Sequence, residues 1–187
     1  LAPVFAYVEV RDAAAFELIG LHPMALWPLV AALSARGVDR AVLAVSAALL
    51  AEAPEYEGVE LVTLPAAGGL PTVLASAGVI AHLHAGSVFL TSGSIERALS
   101  EVLDRGARST TTVLRRAHQA SRLAAPRVKT HPTDFEVFGA YIFSEPLKST
   151  DERGSRATVA ISEIEAIDAL TPEGAVVARA LVETGQR

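Results

Sequence analysis

The chain has 187 residues, 51% hydrophobic and 20% charged, with a net charge of −5 and no cysteine. That apolar content argues against disorder, the absent cysteine excludes disulfides, thiolate metal sites and thiol nucleophiles, and the acidic balance gives no reason to expect a nucleic-acid partner. No apolar run reaches the roughly 18–20 residues of a membrane helix, and the first residues carry no basic region ahead of their apolar ones, so neither a membrane partner nor a signal peptide is expected and a cytoplasmic location is.

Val4 to Val10 is short, β-branched and aromatic, and predicts a strand. Pro23 to Arg36 spaces Met24, Trp27, Val30, Ala31 and Leu33 ahead of Gly37, which predicts a helix with a glycine stop. Pro28 demands that this helix begin near Trp27 or kink there, because a proline inside a helix removes a hydrogen bond. Ala41 to Val45 reads as a buried strand running into a helical Ala47 to Ala53, and Val59 to Leu64 as a third strand before the breakers Pro65 to Pro71. Thr72 to Leu83 predicts a helix and Ser87 to Leu90 a short interior strand. Ser94 is the expected N-cap of a helix over Ile95 to Asp104.

Thr110 to Leu114 and Phe135 to Phe143 read as strands, with a polar loop from Pro126 to Asp134 between them. The basic cluster Arg105, Arg108, Arg115 and Arg116, continuing to Arg122, Arg127 and Lys129, reads as a solvated face rather than a polyanion site. Thr158 to Ile167 alternates as a strand with one wetter face. Thr171 and Pro172 open a last helix as N-cap and first helical residue, with Val176, Val177, Ala180 and Leu181 as its buried stripe. Strands alternating with helices predict one α/β domain over residues 1–187 with a mostly parallel sheet.

Such sheets bind ligands beyond the carboxyl ends of their strands, which directs attention to residues 11–22, 46–48, 91–94 and 168–171. A phosphate loop needs glycines for close backbone approach and a lysine or arginine to neutralise charge. The stretch Arg11 to Gly20 has one glycine, at its far end, and no lysine.

Five segments in order nevertheless resemble the cytidylyltransferases that make CMP-activated acidic sugars, the acylneuraminate/Kdo cytidylyltransferase family. Val8-Glu-Val-Arg11 is similar to that family's opening strand and loop arginine, and Gly20-Leu-His-Pro-Met-Ala-Leu-Trp27 to its Gly-Lys-Pro-Leu-Ile-Ala-Trp helix start. Val88-Phe-Leu-Thr-Ser92 is similar to its Leu-Gln-Pro-Thr-Ser turn, Phe138 to Phe143 to Asn-Gly-Ala-x-Tyr-Ile-Phe, and Ile167 to Glu173 to the closing Asp-Ile-Asp-Thr-Pro-Glu-Asp. The resemblance implies a three-layer α/β/α nucleotidyltransferase-like fold (Rossmann-like, GT-A type). It further implies nucleotide contacts at Arg11, Asp12, Thr91 and Ser92, a metal ligand at Asp168, Mg2+ if the protein is active, and a homodimer.

The chain also departs from the pattern. Asp12, Ala13, Ala14 and Ala15 replace the loop's glycines, serine and lysine, and Ser46-Ala-Ala48 replaces a Ser-Thr-Asp stretch. Leu64-Pro65 stands for an Arg-Pro segment, and the later acids of the closing motif are Leu170 and Gly174. The expectation is therefore a relative whose nucleotidyl transfer is weakened or lost. The alternatives are a working enzyme that couples CTP or another nucleoside triphosphate to a small acidic acceptor, and an α/β domain of unrelated activity.

Individual residues have plainer readings beside these. Arg11 contacts phosphate or pairs with Glu9 or Asp12; Asp168 holds a metal or is a strand-end carboxylate near the Thr171 cap; Thr91 and Ser92 meet a ligand or cap a helix. His82 and His84 lack a third metal ligand nearby and read as a helix end, and His118 and His131 have no evident partner. Gly139 reads as a point of close backbone approach. A Gly-x-Ser-x-Gly nucleophile elbow is absent, which disfavours a serine hydrolase.

Overall fold

The computed structural model describes residues 3–115, 134–144 and 155–185. The first strand, β1 (Val4–Val10), is buried along its length except at Glu9 because it sits inside the main sheet. It pairs in parallel with β4 (Arg40–Val45) on one side and β6 (Val79–Leu83) on the other. Outside β4 lies β5 (Val59–Thr63), also parallel. Beyond β6 come β8 (Asp134–Ser144), β7 (Ser109–Arg115) and β9 (Arg156–Ile161), giving the order β5-β4-β1-β6-β8-β7-β9. Only β8 runs antiparallel to its neighbours. A two-stranded hairpin, β2 (Leu18–Ile19) with β3 (His22–Pro23), stands apart from this sheet.

Strand side chains alternate between faces, so β1 feeds two cores. Val4, Ala6, Val8 and Val10 meet Leu26, Leu29 and Ala32 of α1 (Leu26–Leu33) and Ile95, Ala98 and Leu99 of α2 (Ser92–Leu103). Phe5 and Tyr7 pack on the opposite face with Val42, Ala44, Ile80, Phe143 and Leu74, the last from a 3-10 turn over Thr72–Ser76. A third cluster joins Ile19 and Met24 to Ala178, with Leu181 and Val182 beside it, and so docks α3 (Pro172–Glu183) on the hairpin. The sheet is mostly parallel with helices against it, the α/β class expected.

Pro28 falls in the first turn of α1, where its missing N–H costs no helical bond, and the chain leaves that helix through Gly37 at φ 88°. Thr171 caps α3 by accepting from the Gly174 N–H at 3.1 Å, with Pro172 in the first turn. Gly139 is a point of close approach: a Cβ there would lie 2.8 Å from Thr112 Oγ1, beside a register shift between Thr111 and Val113.

Several expectations are corrected. Thr72 to Leu83 is not a helix but a 3-10 turn followed by β6, because Gly78 interrupts it and Val79-Ile80 pair with the central strand. Ala47–Glu52 is likewise 3-10, cut short before Pro54. Ser87 to Leu90 is a turn, and β9 stops at Ile161 instead of running to Ile167. Thr91, not Ser94, is the N-cap of α2, accepting from the Ser94 N–H at 3.2 Å. On α3 Val176 and Val177 are exposed and Ala178 is buried, since the hairpin meets the face through Ala178, Leu181 and Val182. The expected loop at 126–134 and residues His118 and His131 lie outside the described residues, save that Asp134 opens β8.

Candidate functional site

The turn after β1 is built by Asp12, whose Oδ1 accepts from the Ala14 N–H at 2.9 Å and caps a 3-10 turn over Ala13–Phe16. The Arg11 guanidinium donates to Glu9 and remains about half exposed, at 55%. Across from this turn, β6 runs into His84, Ala85 and Gly86. Segment 168–170 docks on that loop, with the Ala169 N–H donating to the Gly86 carbonyl at 2.9 Å. Asp168 Oδ1 lies 3.0 Å from His84 Nε2 and accepts from the Leu170 N–H at 3.0 Å. His84 Nε2 meets Asp168 Oδ1 as a close polar contact rather than a straight hydrogen bond. His84 holds the Asp168 carboxyl below the ordinary aspartate range, against the opposing effect of burial and with help from the Leu170 N–H.

Two glycines make room for this segment. A Cβ at Gly86 would overlap Asp168 Oδ1, and one at Gly174 would overlap the Asp168 carbonyl oxygen. Between the two turns lies a cleft of about 290 Å³ lined by Glu9, Arg11, Asp12, His82, Ala85 and Leu170. His82 stacks on Tyr7 at 4.4 Å between ring centroids. Burial, then the Glu9 charge, pushes the Tyr7 hydroxyl up to about 12. Burial also pulls the His82 imidazole below its ordinary value, opposed by Glu9 and reinforced by His84.

Thr91 and Ser92 lie elsewhere. They line a larger, mainly apolar hollow of about 540 Å³ with Trp27, Phe89, Ile164 and Glu165. Glu165 is only 8% exposed. Its carboxylate accepts from Thr91 Oγ1 at 2.7 Å, Thr91 N at 3.3 Å, Ser162 N and Oγ at 3.0 Å each, and Ser94 Oγ. Burial alone would raise the Glu165 pKa, but these donors, Ser94 first, bring it below the ordinary glutamate value. The expected nucleotide contacts therefore fall in two places, Arg11 and Asp12 at the smaller cleft and Thr91 and Ser92 at the larger hollow.

Sequence reasoning missed His84 and Glu165 as members of these sites. Glu165 had a local signal: Ser162-Glu-Ile-Glu165 is a capping-box spacing, and the Glu165 N–H does donate to Ser162 Oγ at 3.2 Å while Glu165 accepts from Ser162 N. No comparable signal joins His84 to Asp168.

The sheet order, with one reversed strand and the cleft at its carboxyl edge, is the arrangement of nucleotidyltransferase-like α/β proteins. Solved structures share this fold over nearly their whole length. The chain is similar to a CMP:2-keto-3-deoxy-manno-octonic acid synthetase complexed with CTP, at TM-score 0.73 and 14% identity over 98% of this chain and 100% of that one. It is similar to a 4-diphosphocytidyl-2C-methyl-D-erythritol synthase from Anaerococcus prevotii, at TM-score 0.65 and 11% identity over 97% and 99% of the two chains. A further 4-diphosphocytidyl-2C-methyl-D-erythritol synthase gives TM-score 0.68 and 15% identity over 97% and 99%. At these identities the likeness is one of fold. No family model matches the sequence, and no curated protein matches it.

Proposed function

We propose that this chain is a cytidine-nucleotide-binding relative of the CMP-sugar synthetases in which nucleotidyl transfer is weakened or lost. The observation that carries the reading is the cleft at the carboxyl edge, where the turn after β1 and the segment after Asp168 face each other with little positive charge between them. Among the described lining residues Arg11 is the sole arginine, is tied to Glu9, and is accompanied by no lysine. Preorganised donors are worth about 2.7–4 kcal/mol each to a developing anion, so a loop without them supports binding better than turnover. In this reading Arg11 and Asp12 face the nucleotide, while Thr91 and Ser92 shape the neighbouring hollow. Likeness over nearly the whole chain to a synthetase complexed with CTP supports the choice of nucleotide.

A second reading is a working transferase that couples CTP or another nucleoside triphosphate to a small acidic acceptor, with Mg2+ on Asp168. It is favoured by the Asp168 carboxyl being held below its ordinary pKa, first by His84, beside the smaller cleft. Calorimetry with CMP and CTP, followed by a pyrophosphate-release assay over candidate acidic sugars, separates the two. Binding without release fits the first reading, sustained release fits the second, and no nucleotide binding overturns both. The first reading carries a homodimer with it, with exposed Leu18, Leu21 and Val176 as surface to cover; sedimentation velocity returning a monomer removes that part.

A further inference from the structure

Asp168 stands where the family resemblance expects a metal ligand, yet its surroundings fit a divalent cation poorly. Mg2+ is hard, demands near-octahedral oxygen coordination and is held by carboxylates together with phosphate oxygens and waters. Oδ1 of Asp168 is already engaged by His84 Nε2 and the Leu170 N–H. Among the described residues, no three His, Asp or Glu side chains gather as a metal-ligand group. Nor can a neighbouring acid be supplied at the two glycines. A side chain at Gly86 would displace the Asp168 carboxylate, and one at Gly174, where the resemblance expects an acid, would collide with the Asp168 backbone.

What the edge does offer is an oriented histidine. His84 is 31% exposed in its side chain, but its Nε2 is buried against Asp168, so the exposed part is the rest of the ring. His82 and Ala85, on either side of it in the chain, both line the smaller cleft, as does Leu170 from the Asp168 segment. A carboxylate that fixes one ring nitrogen sets the orientation of the other, as it does for histidines in many sites.

We propose that ligand binding at this edge is independent of divalent cations, with Asp168 acting as the positioning residue for His84 and His84 as the side chain that meets the ligand. The identity of the ligand as a cytidine nucleotide rests on the reading given under Proposed function; the independence from metal does not.

The test has three parts, all on the full chain. Calorimetry measures CMP and CTP binding in EDTA and in excess Mg2+, and matching affinities are expected. NMR follows the His84 ring signals, assigned with His84→Gln, as CMP is added in EDTA, and a shift confined to this ring and its neighbours is expected. Electron paramagnetic resonance follows free Mn2+ over protein alone, and no stoichiometric uptake is expected. His84→Ala is expected to weaken CMP by about tenfold, the worth of one good hydrogen bond, with His84→Gln recovering part of it. Gly86→Ala is expected to weaken CMP as well, since it moves Asp168 without altering either member of the pair. Nucleotide binding that needs Mg2+, or an unmoved His84 ring with CMP bound, overturns the inference and leaves the nucleotide reading intact. Absence of any nucleotide binding ends the nucleotide reading and the His84 contact with it. The Mn2+ titration then bears on Asp168 alone: stoichiometric uptake lost in Asp168→Asn overturns the misfit of this carboxylate with a divalent cation, and no uptake upholds that misfit.

Discussion

Glu165 gathers five donors around one buried carboxylate, from Thr91, Ser94 and Ser162. Hydrogen bonds to a charged group contribute about 1.5–3 kcal/mol each, and donors left unpaired in the interior cost about as much again, so Glu165→Ala is expected to destabilise the protein by roughly 3 kcal/mol in urea unfolding. Its pKa is lowered on folding, so the unfolded chain takes up the proton at a higher pH than the folded one. The stabilisation is therefore complete above the unfolded glutamate value and is lost as pH falls through the folded one. Thermal melts from neutral pH downward are expected to show a steep acid limb that Glu165→Gln flattens. At Gly174 the constraint is steric: Gly174→Ala drives a Cβ into the Asp168 carbonyl and is expected to cost at least the roughly 1–3 kcal/mol of ordinary overpacking, read by the same unfolding. Of these residues only the Ser162–Glu165 pair leaves a local signal, a capping-box spacing that the strand reading of Thr158 to Ile167 passed over. The Asp168–His84 contact was not legible, because it joins two loops through tertiary packing and leaves no local pattern.

At the scale of elements, local signals succeeded where local physics decides. β1, β4, β5 and β7 were legible from β-branched runs, and the start of α3 from Thr171-Pro172, because strand propensity and capping act within a few residues. β6 was lost inside an alanine-containing stretch because what makes it a strand is pairing with β1 and β8. The buried face of α3 was misjudged for a related reason: the expected stripe shares only Leu181 with the residues that meet the hairpin, Ala178, Leu181 and Val182, and it is the hairpin's position that selects this face. The packing of α2 on the sheet gives a direct check. Leu99 is 2% exposed among Val8, Leu83 and Ile95, and Leu99→Ala is expected to cost roughly 2–5 kcal/mol with cooperative unfolding retained.

Across the whole molecule, the α/β class and the parallel bias followed from alternation of elements, whereas the reversed strand and the strand order did not. The order depends on which edge a late strand finds free, and the free edge belongs to β6. No helix among the described residues is long and apolar enough to cross a membrane, in keeping with an apolar content spent on two sheet faces.

That strand order has a consequence for synthesis. β8 inserts between β6 and β7, though it leaves the ribosome after both, and α3 closes over a hairpin made more than a hundred residues earlier, at 18–23. A nascent chain thus carries an unzipped β6 edge until β8 emerges and a bare patch at Ile19 and Met24 until α3 does, states that invite chaperone holding or clumping. Ending the chain after Ala169 is expected to send it into the insoluble fraction, and adding the missing helix as a separate peptide is expected to recover little of it.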